Sequence, residues 1–598
     1  MTTAQDFAPA LAEQHLFGEL SADGQNVVIV TAEGEFEPTT LGHLSDITVT
    51  ARATKPKGGV QYELSWPLAV QLGAELGPLW HPGARYTAWL TGELLKRARI
   101  EPVTGASELR TDAPAPRHYQ LAGASIAAAT GRGGFVFDDP GTGKTLTAIL
   151  AILALRDRGQ LPIAAPIIVV CPNSVIDSWV SAWQTWTTLK VAAWRGAAST
   201  RRRLAETDAD VFVVAYATAR NDMDPYSSSG GPITKLSAGA MVIDECHMIK
   251  NPQAVQSQVV RKLAAKTPVT IALSGTPITH NAGDLHPTLF AVDPAAWPSR
   301  ERYSRRYLNT IPGDYGDTVI GLSEREPELR QCLMGQYRSL RKADVLTELP
   351  PKVYSVRSVA IPDKYRKQYD QMESDMLAQL DDGKELPAPT VLAQLTRLSQ
   401  LASAAADVTS HTELKENPFG EMEEVEKLDV TLKLPSWKVD ALLEILGERT
   451  DKQTLVFAPS RQLINLADAE CRRAGYSTAT VVGGQTARER TLNVDEFQSG
   501  KRQVLLATTS AGGVGLTLTA ASTVVFLQRP WSYVEASQAE DRAHRIGSEI
   551  HESIEIVDVV AEKTVESRVR SVLRDKARSL AELLEDPRIA REVLGGLK

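Results

Sequence analysis

Short apolar, β-branched runs recur through the middle of the chain, each set off from the next by a stretch suited to a helix: Phe135-Val136-Phe137, Ile167-Ile168-Val169-Val170, Val211-Phe212-Val213-Val214, Met241-Val242-Ile243 and Val269-Thr270-Ile271-Ala272-Leu273. Strands apolar on both faces and alternating with helices predict a parallel sheet covered on both sides, with ligands at the carboxyl ends of its strands. The pattern returns at 454–457, 503–507 and 523–527. The first hundred residues have a different period. Val60, Tyr62, Leu64 and Trp66 alternate with Gln61, Glu63 and Ser65, which predicts a half-buried strand, and 27–30 and 47–49 read as two more. A helix is expected at about 84–98, and the Pro-rich 113–116 as a linker. At the far end, Val565, Val569, Val572, Leu573, Leu580 and Leu584 recur at helical spacing up to Pro587.

This patterning sets a β-rich accessory domain at 1–110 ahead of two α/β stretches, with an acidic, weakly patterned and flexible excursion at 405–433 between them and a helix at 563–598 packing on the second. At 598 residues the chain is too long for a single core. Its net charge of −8 gives no global attraction to nucleic acid, so contact with DNA would fall to local basic groups and backbone amides. Cys171, Cys246, Cys332 and Cys471 lie far apart with no C-x-x-C pair, which argues against zinc sites and disulfides and fits a reducing cytosol. Neither a signal-type N-terminus nor an apolar run approaching 18 residues is present in the sequence, so no membrane role is expected.

The chemistry centres on Asp138-Asp139-Pro140-Gly141-Thr142-Gly143-Lys144-Thr145, which follows the first apolar run and opens a helix. Strand, glycine loop and helix present unpaired N–H groups to a polyphosphate; Lys144 can reach the β- and γ-phosphates and Thr145 can offer its hydroxyl to Mg²⁺. The usual pattern would place glycine at 138, where this chain has Asp138. The strand 241–243 ends in Asp244-Glu245-Cys246-His247: one carboxylate can hold Mg²⁺ and its neighbour can polarise the attacking water, or the pair can simply cap a helix. Strand 269–273 ends in Ser274-Gly275-Thr276-Pro277, a polar turn able to hydrogen-bond Asp244 or His247. Gln120, one short helix upstream of the loop, carries the donor and acceptor that pair an adenine edge. In the second half, 508–516 is glycine-rich, and Arg542 and Arg545, three apart, would share a helical face and could neutralise charge on a γ-phosphate or form a solvated basic face.

The order of these segments, together with the run Gln538-Ala539-Glu540-Asp541-Arg542-Ala543-His544-Arg545-Ile546-Gly547, resembles the Swi/Snf family of double-stranded DNA translocases within the superfamily-two helicases, over about residues 113–575. The resemblance implies an α/β fold of two RecA-like parallel-sheet lobes with helical insertions, the first lobe at 111–352, a helical insertion or linker at 353–435 and the second lobe at 436–562, together with a small N-terminal α+β domain and ATP in the cleft between the lobes. It implies catalytic roles for Lys144, Asp244, Glu245, Arg542 and Arg545. Nucleotide contacts are implied for Arg117, Gln120, Asp138, Asp139, Pro140, Gly141, Thr142, Gly143, Thr145, Gly513 and Gly515, and Mg²⁺ ligation for Thr145 and Asp244. His247, Ser274, Gly275, Thr276 and Gln538 would couple nucleotide state to movement, and Ser174, Trp179, Thr218, Gly484 and Thr509 would contact DNA. Asp139-Pro140 stands where the family usually has Glu-Met, and Ser548 where glutamine is common. The expected partners are duplex DNA, forked or branched forms included, and a protein bound through residues 1–110, with the chain itself a monomer in bacterial or phage-infected cytoplasm. A strand-separating helicase and an ATP-gated DNA clamp or adaptor are the competing readings.

Overall fold

The computed structural model describes residues 15–31, 59–223, 231–278, 281–312, 318–381, 396–416, 422–512, 516–530 and 533–566. The chain divides into two compact units that part between Val345 and Leu346.

The first unit begins with a small mixed sheet of β1 (Leu16–Leu20), β2 (Asn26–Thr31), β3 (Gly59–Glu63) and β4 (Trp80–Pro82), ordered β3-β2-β1-β4. Two helices, Trp66–Leu76 and Ala84–Ala98, accompany it. The alternation expected over 60–66 holds for Val60 and Tyr62, which are buried, but Trp66 belongs to the next helix rather than to the strand. Ser65 caps that helix, its Oγ accepting from Leu68 N at 3.3 Å, and Pro67 suits its first turn, so the chain leaves the sheet three residues early. The strand expected at 47–49 lies outside the described residues.

The main sheet of this unit has seven strands in the order β13-β5-β10-β9-β6-β8-β7, all parallel. They are β5 (Gly133–Val136), β6 (Ile167–Cys171), β7 (Val191–Trp194), β8 (Val211–Ala215), β9 (Ala240–Asp244), β10 (Val269–Leu273) and β13 (Tyr337–Arg338). A short hairpin, β11 (Leu308–Ile311) with β12 (Thr318–Leu322), stands outside this sheet. Strands β5, β6, β8 and β10 are buried at every residue, as their β-branched composition requires when helices cover both faces. The helix Lys144–Asp157 is buried from Leu146 to Arg156.

Buried polar groups join the small sheet domain to the rest of the first unit. Arg306 grips Glu328 with two nitrogens at 2.7 and 2.8 Å and reaches Glu75 of the helix Trp66–Leu76 at 3.2 Å. Tyr307 Oη donates to Glu328 at 2.7 Å and accepts from Gln71 at 2.8 Å. Burial works to raise the Glu75 carboxyl, yet Arg325 and Arg306 outweigh it and hold the group below its ordinary range. Breaking a buried ion pair from one side leaves an uncompensated charge, so Arg306→Met is expected to cost the first unit about 3–5 kcal/mol in chemical denaturation. Arg306→Met combined with Glu328→Leu should recover much of that loss; a double variant no more stable than the single one would contradict the assignment.

The second unit carries a six-stranded parallel sheet ordered β14-β21-β20-β17-β19-β18. Its strands are β14 (Lys352–Val359), β17 (Gln453–Ala458), β18 (Thr478–Val481), β19 (Val504–Thr508), β20 (Ala521–Phe526) and β21 (Ile554–Ala561). The interval 353–435, expected to be helical, holds the helix Asp363–Asp381 but begins with β14, an edge strand of this sheet. Its acidic part is no irregular excursion either: β15 (Ala405–Glu416) and β16 (Met422–Lys433) pair antiparallel from Ala405↔Lys433 to Glu416↔Met422. Thr and Val interleave with the acidic residues in both strands, which suits a pleated ribbon. Val430 and Leu432 pack into the second unit's core at its root, where the Gln462 amide bonds the backbone of both. Beyond β21, Val565 and Glu566 begin a helical turn; the expected helix over 567–598 lies outside the described residues.

Candidate nucleotide site

Three neighbouring strands, β5, β10 and β9, end side by side in the first unit, and each delivers one motif. From β5 the chain runs through the glycine loop into the helix starting at Lys144. Gly141 and Gly143 sit at φ +87° and +85°, backbone that side chains other than glycine rarely adopt, and a Cβ on Gly143 would lie 2.4 Å from Gln120 Nε2. Lys144 Nζ donates to the carbonyls of Asp138 and Asp139 at 2.7 and 3.3 Å, so the ammonium spans the mouth of the loop. Thr145, the second residue of the helix, is half-buried.

The loop is held from outside by residues distant in sequence. Arg338 donates to the buried Asp138 carboxylate at 3.2 Å and to the Tyr119 carbonyl, and Lys342 N donates to Asp139 Oδ2 at 2.8 Å. Burial raises the Asp138 carboxyl, opposed by Arg338 and then Lys144. Tyr119 Oη and Gln120 Nε2 both donate to Thr142 O, at 3.0 and 3.1 Å. Gln120 Oε1 accepts from Arg117 N at 2.9 Å. The glutamine expected to read an adenine edge therefore uses both ends of its amide within the chain, bracing the loop.

At the end of β9, Asp244 Oδ2 accepts from the Trp179 indole at 2.8 Å, Oδ1 accepts from Glu245 N at 3.1 Å, and the Asp244 carbonyl accepts from Tyr216 Oη at 2.7 Å. Desolvation, followed by the Glu245 charge, pushes the Asp244 carboxyl above its ordinary range, while the Trp179 N–H favours the ionised form. Glu245 adopts φ +52°. Such strain in a non-glycine residue is the kind kept where a side chain must be aimed. Its carboxylate is 3.3 Å from His247 Nδ1, which lies 3.1 Å from Ser274 Oγ. Desolvation and then Lys250 depress the His247 imidazole to about 4, leaving it neutral at neutral pH. Ser274 Oγ also accepts from Thr276 N at 3.0 Å, and a Cβ on Gly275 would come within 2.7 Å of the Pro140 ring. Phosphate loop, acidic pair and polar turn thus form one cluster.

Two expected DNA contacts are corrected. Trp179 is buried at 1% exposure with its polar edge on Asp244, and Thr509, at the start of the short helix Thr509–Gly512, is buried at 3%. Neither presents a surface to a duplex. Ser174 and Thr218 are half-buried and Gly484 is exposed. In the second unit, Arg542 and Arg545 do not share a helical face, because the helix Tyr533–Glu540 stops before them. The Arg542 carbonyl accepts instead from Leu518 N at 3.0 Å, which takes it out of an i→i+4 ladder. The guanidinium groups still converge, both donating to Leu516 O, at 3.2 and 3.0 Å, and Arg542 also bonds the Gln538 carbonyl. Gly513 and Gly515 lie outside the described residues. The sequence singles out neither Arg338 nor, within their runs 117–120 and 215–218, Tyr119 and Tyr216, since nothing local marks a partner up to 219 residues away.

Comparison with known proteins matches a SNF2-related domain over residues 64–405 and a helicase conserved C-terminal domain over 437–547. The TATA-binding protein-associated factor MOT1 of Saccharomyces cerevisiae is 25% identical over 497 residues, covering 74% of this chain and 26% of MOT1. The putative ATP-dependent helicase/translocase YwqA of Bacillus subtilis is 27% identical over 501 residues, covering 80% of this chain and 50% of YwqA. The chain therefore spans only a quarter to a half of the length of these curated relatives. A solved SWI2/SNF2 ATPase core from Sulfolobus solfataricus aligns at 20% identity and a TM-score of 0.35 over 80% of this chain and 97% of that one. With the SNF2-related match alone extending over more than half of its 598 residues, the protein belongs to the SNF2-related family, the Swi/Snf branch of the superfamily-two helicases.

Proposed function

We propose that this protein is a motor that hydrolyses ATP when bound to double-stranded DNA and uses the energy to move along the duplex, remodelling DNA or protein–DNA complexes. The observation that carries the reading is the cluster at the ends of β5, β10 and β9, where a phosphate loop, an acidic pair and a polar turn stand in contact. In this reading the loop amides and Lys144 hold the β- and γ-phosphates. Thr145 and Asp244 offer hard oxygen donors of the kind magnesium takes, and would hold that ion. When bound, magnesium neutralises charge on the phosphate oxygens. Glu245 orients a water for in-line attack on the γ-phosphorus; the bond from that phosphorus to the β-phosphate bridging oxygen breaks, giving ADP and phosphate. His247, neutral and between Glu245 and Ser274, relays the loss of the γ-phosphate to the turn at Gly275 and Thr276. The part proposed for Arg542 and Arg545 is to offset the charge that develops on the γ-phosphate.

Ser174, Thr218 and Gly484 remain the proposed contacts to the DNA backbone. Among the described residues no helix is long and apolar enough to cross a membrane. A cytoplasmic setting is part of the proposal. A protein partner of the small N-terminal sheet and a monomeric state are part of the same proposal.

Translocation separates this reading from strand separation. The protein should displace a third strand from a triplex in an ATP-dependent manner while leaving a forked duplex of the same length paired. Unwinding of the fork without triplex displacement would replace the translocase reading by a helicase one.

A further inference from the structure

Trp179 lies on the helix Ile176–Trp186, which follows β6, the neighbour of β9 in the sheet. Ile176, Trp179 and Trp183 form its buried face, at the three- and four-residue spacing of a packed helix. The two tryptophans differ in their polar edge. The Trp183 indole nitrogen is buried with no hydrogen-bond partner, as expected of a ring present only for its bulk. The Trp179 N–H instead meets Asp244 Oδ2 at 2.8 Å, with the ring 1% exposed. Glu245 N takes the other oxygen at 3.1 Å, and Tyr216 Oη pins the Asp244 backbone at 2.7 Å. A carboxylate held at both oxygens has one orientation, and the lone pairs that remain face away from those donors.

We propose that Trp179 is a positioning residue for the metal-holding carboxylate: its indole N–H sets the rotamer of Asp244, so that the lone pairs left over are presented in advance rather than ordered when the cation arrives. Donors behind a ligand act in this way through the ligand, not on the cation itself, and their loss commonly weakens metal affinity by about 10- to 100-fold. This inference rests on the ATP and Mg²⁺ site proposed above.

Two substitutions separate the donor from the bulk. Trp179→Phe keeps an aromatic ring in the slot and removes the N–H. Trp179→His loses the six-membered ring but retains a ring nitrogen two bonds from Cγ, where the indole nitrogen sits. Mn²⁺ binding, followed by electron paramagnetic resonance with a non-hydrolysable ATP analogue present, should weaken about tenfold or more in Trp179→Phe. Trp179→His should recover most of that loss even though it melts at a lower temperature than Trp179→Phe. Affinity for the analogue in EDTA should stay within about twofold in both. Equal Mn²⁺ affinity in Trp179→Phe and the unsubstituted protein, or affinities that follow melting temperature, would reduce Trp179 to a packing residue and overturn the inference alone. An unsubstituted protein without Mn²⁺-dependent binding of the analogue would overturn the proposed site and this inference with it.

Discussion

Lys144→Ala is expected to reduce kcat/KM for ATP on the order of a thousandfold, with both nucleotide affinity and turnover affected. The ammonium lies across the loop mouth, 2.7 Å from the Asp138 carbonyl, at the head of a helix whose first amides have no partner within it. A triphosphate placed on those amides exchanges the neutral carbonyl partners of Lys144 for anionic phosphate oxygens, so that the ammonium is paired with opposite charge as well as hydrogen-bonded. Charge also builds on the γ-phosphate during transfer, so the loss is larger in the transition state than in the ground state; removing one such donor commonly costs about 10²–10³ in rate. The unliganded fold should hardly change, because the Asp138 carboxylate keeps Arg338 and the loop keeps its bonds to Tyr119 and Gln120. Steady-state ATPase rates and nucleotide titrations check this. An alanine variant with unaltered ATP affinity would mean that the loop does not cradle phosphate.

Glu245→Gln should have the opposite signature: ATP bound as tightly as before and turned over on the order of a thousandfold more slowly, within the range of about 10²–10⁴ seen when a general base is lost. The amide is isosteric and keeps the left-handed backbone at φ +52°, so its geometry is preserved while its basicity disappears. The Glu245 charge also raises the neighbouring Asp244 carboxyl. Removing it favours the ionised form of Asp244, so metal and nucleotide affinity should hold or improve. Single-turnover hydrolysis with pre-bound ATP makes the comparison. Full hydrolysis in this variant would remove Glu245 from the reaction, whereas full biological function without hydrolysis would shift the proposal to an ATP-gated clamp.

The sheet of the first unit was legible because its strands are buried on both faces and written as unbroken β-branched runs, and because phosphate loop, acidic pair and Ser-Gly-Thr turn each stand directly at a strand's end. The supports of those motifs were not legible. Arg338 bonds Asp138 across 200 residues and Trp179 bonds Asp244 across 65, and no local composition encodes which ring or guanidinium will arrive. Trp179 was misassigned for that reason: one residue type, close to a strand end, serves a duplex contact or a buried donor equally well, and only burial distinguishes them. The arginine pair failed differently. Spacing of three implies a common face only while the helix continues, and the helix stops at Glu540, with the Arg542 carbonyl turned to Leu518 N instead of to a residue four further on. In the acidic stretch 405–433 charge density concealed a β pattern that pairing of Val408 with Val430 and burial at the root make plain.

ATP hydrolysis rates measured side by side with no nucleic acid, single-stranded DNA, duplex DNA, forked DNA and RNA test the central claim most directly. The account predicts slow turnover alone and a strong rise with duplex that single strands and RNA do not reproduce, abolished by Lys144→Ala. A rate independent of nucleic acid, or one stimulated by single strands and indifferent to duplex, would contradict it.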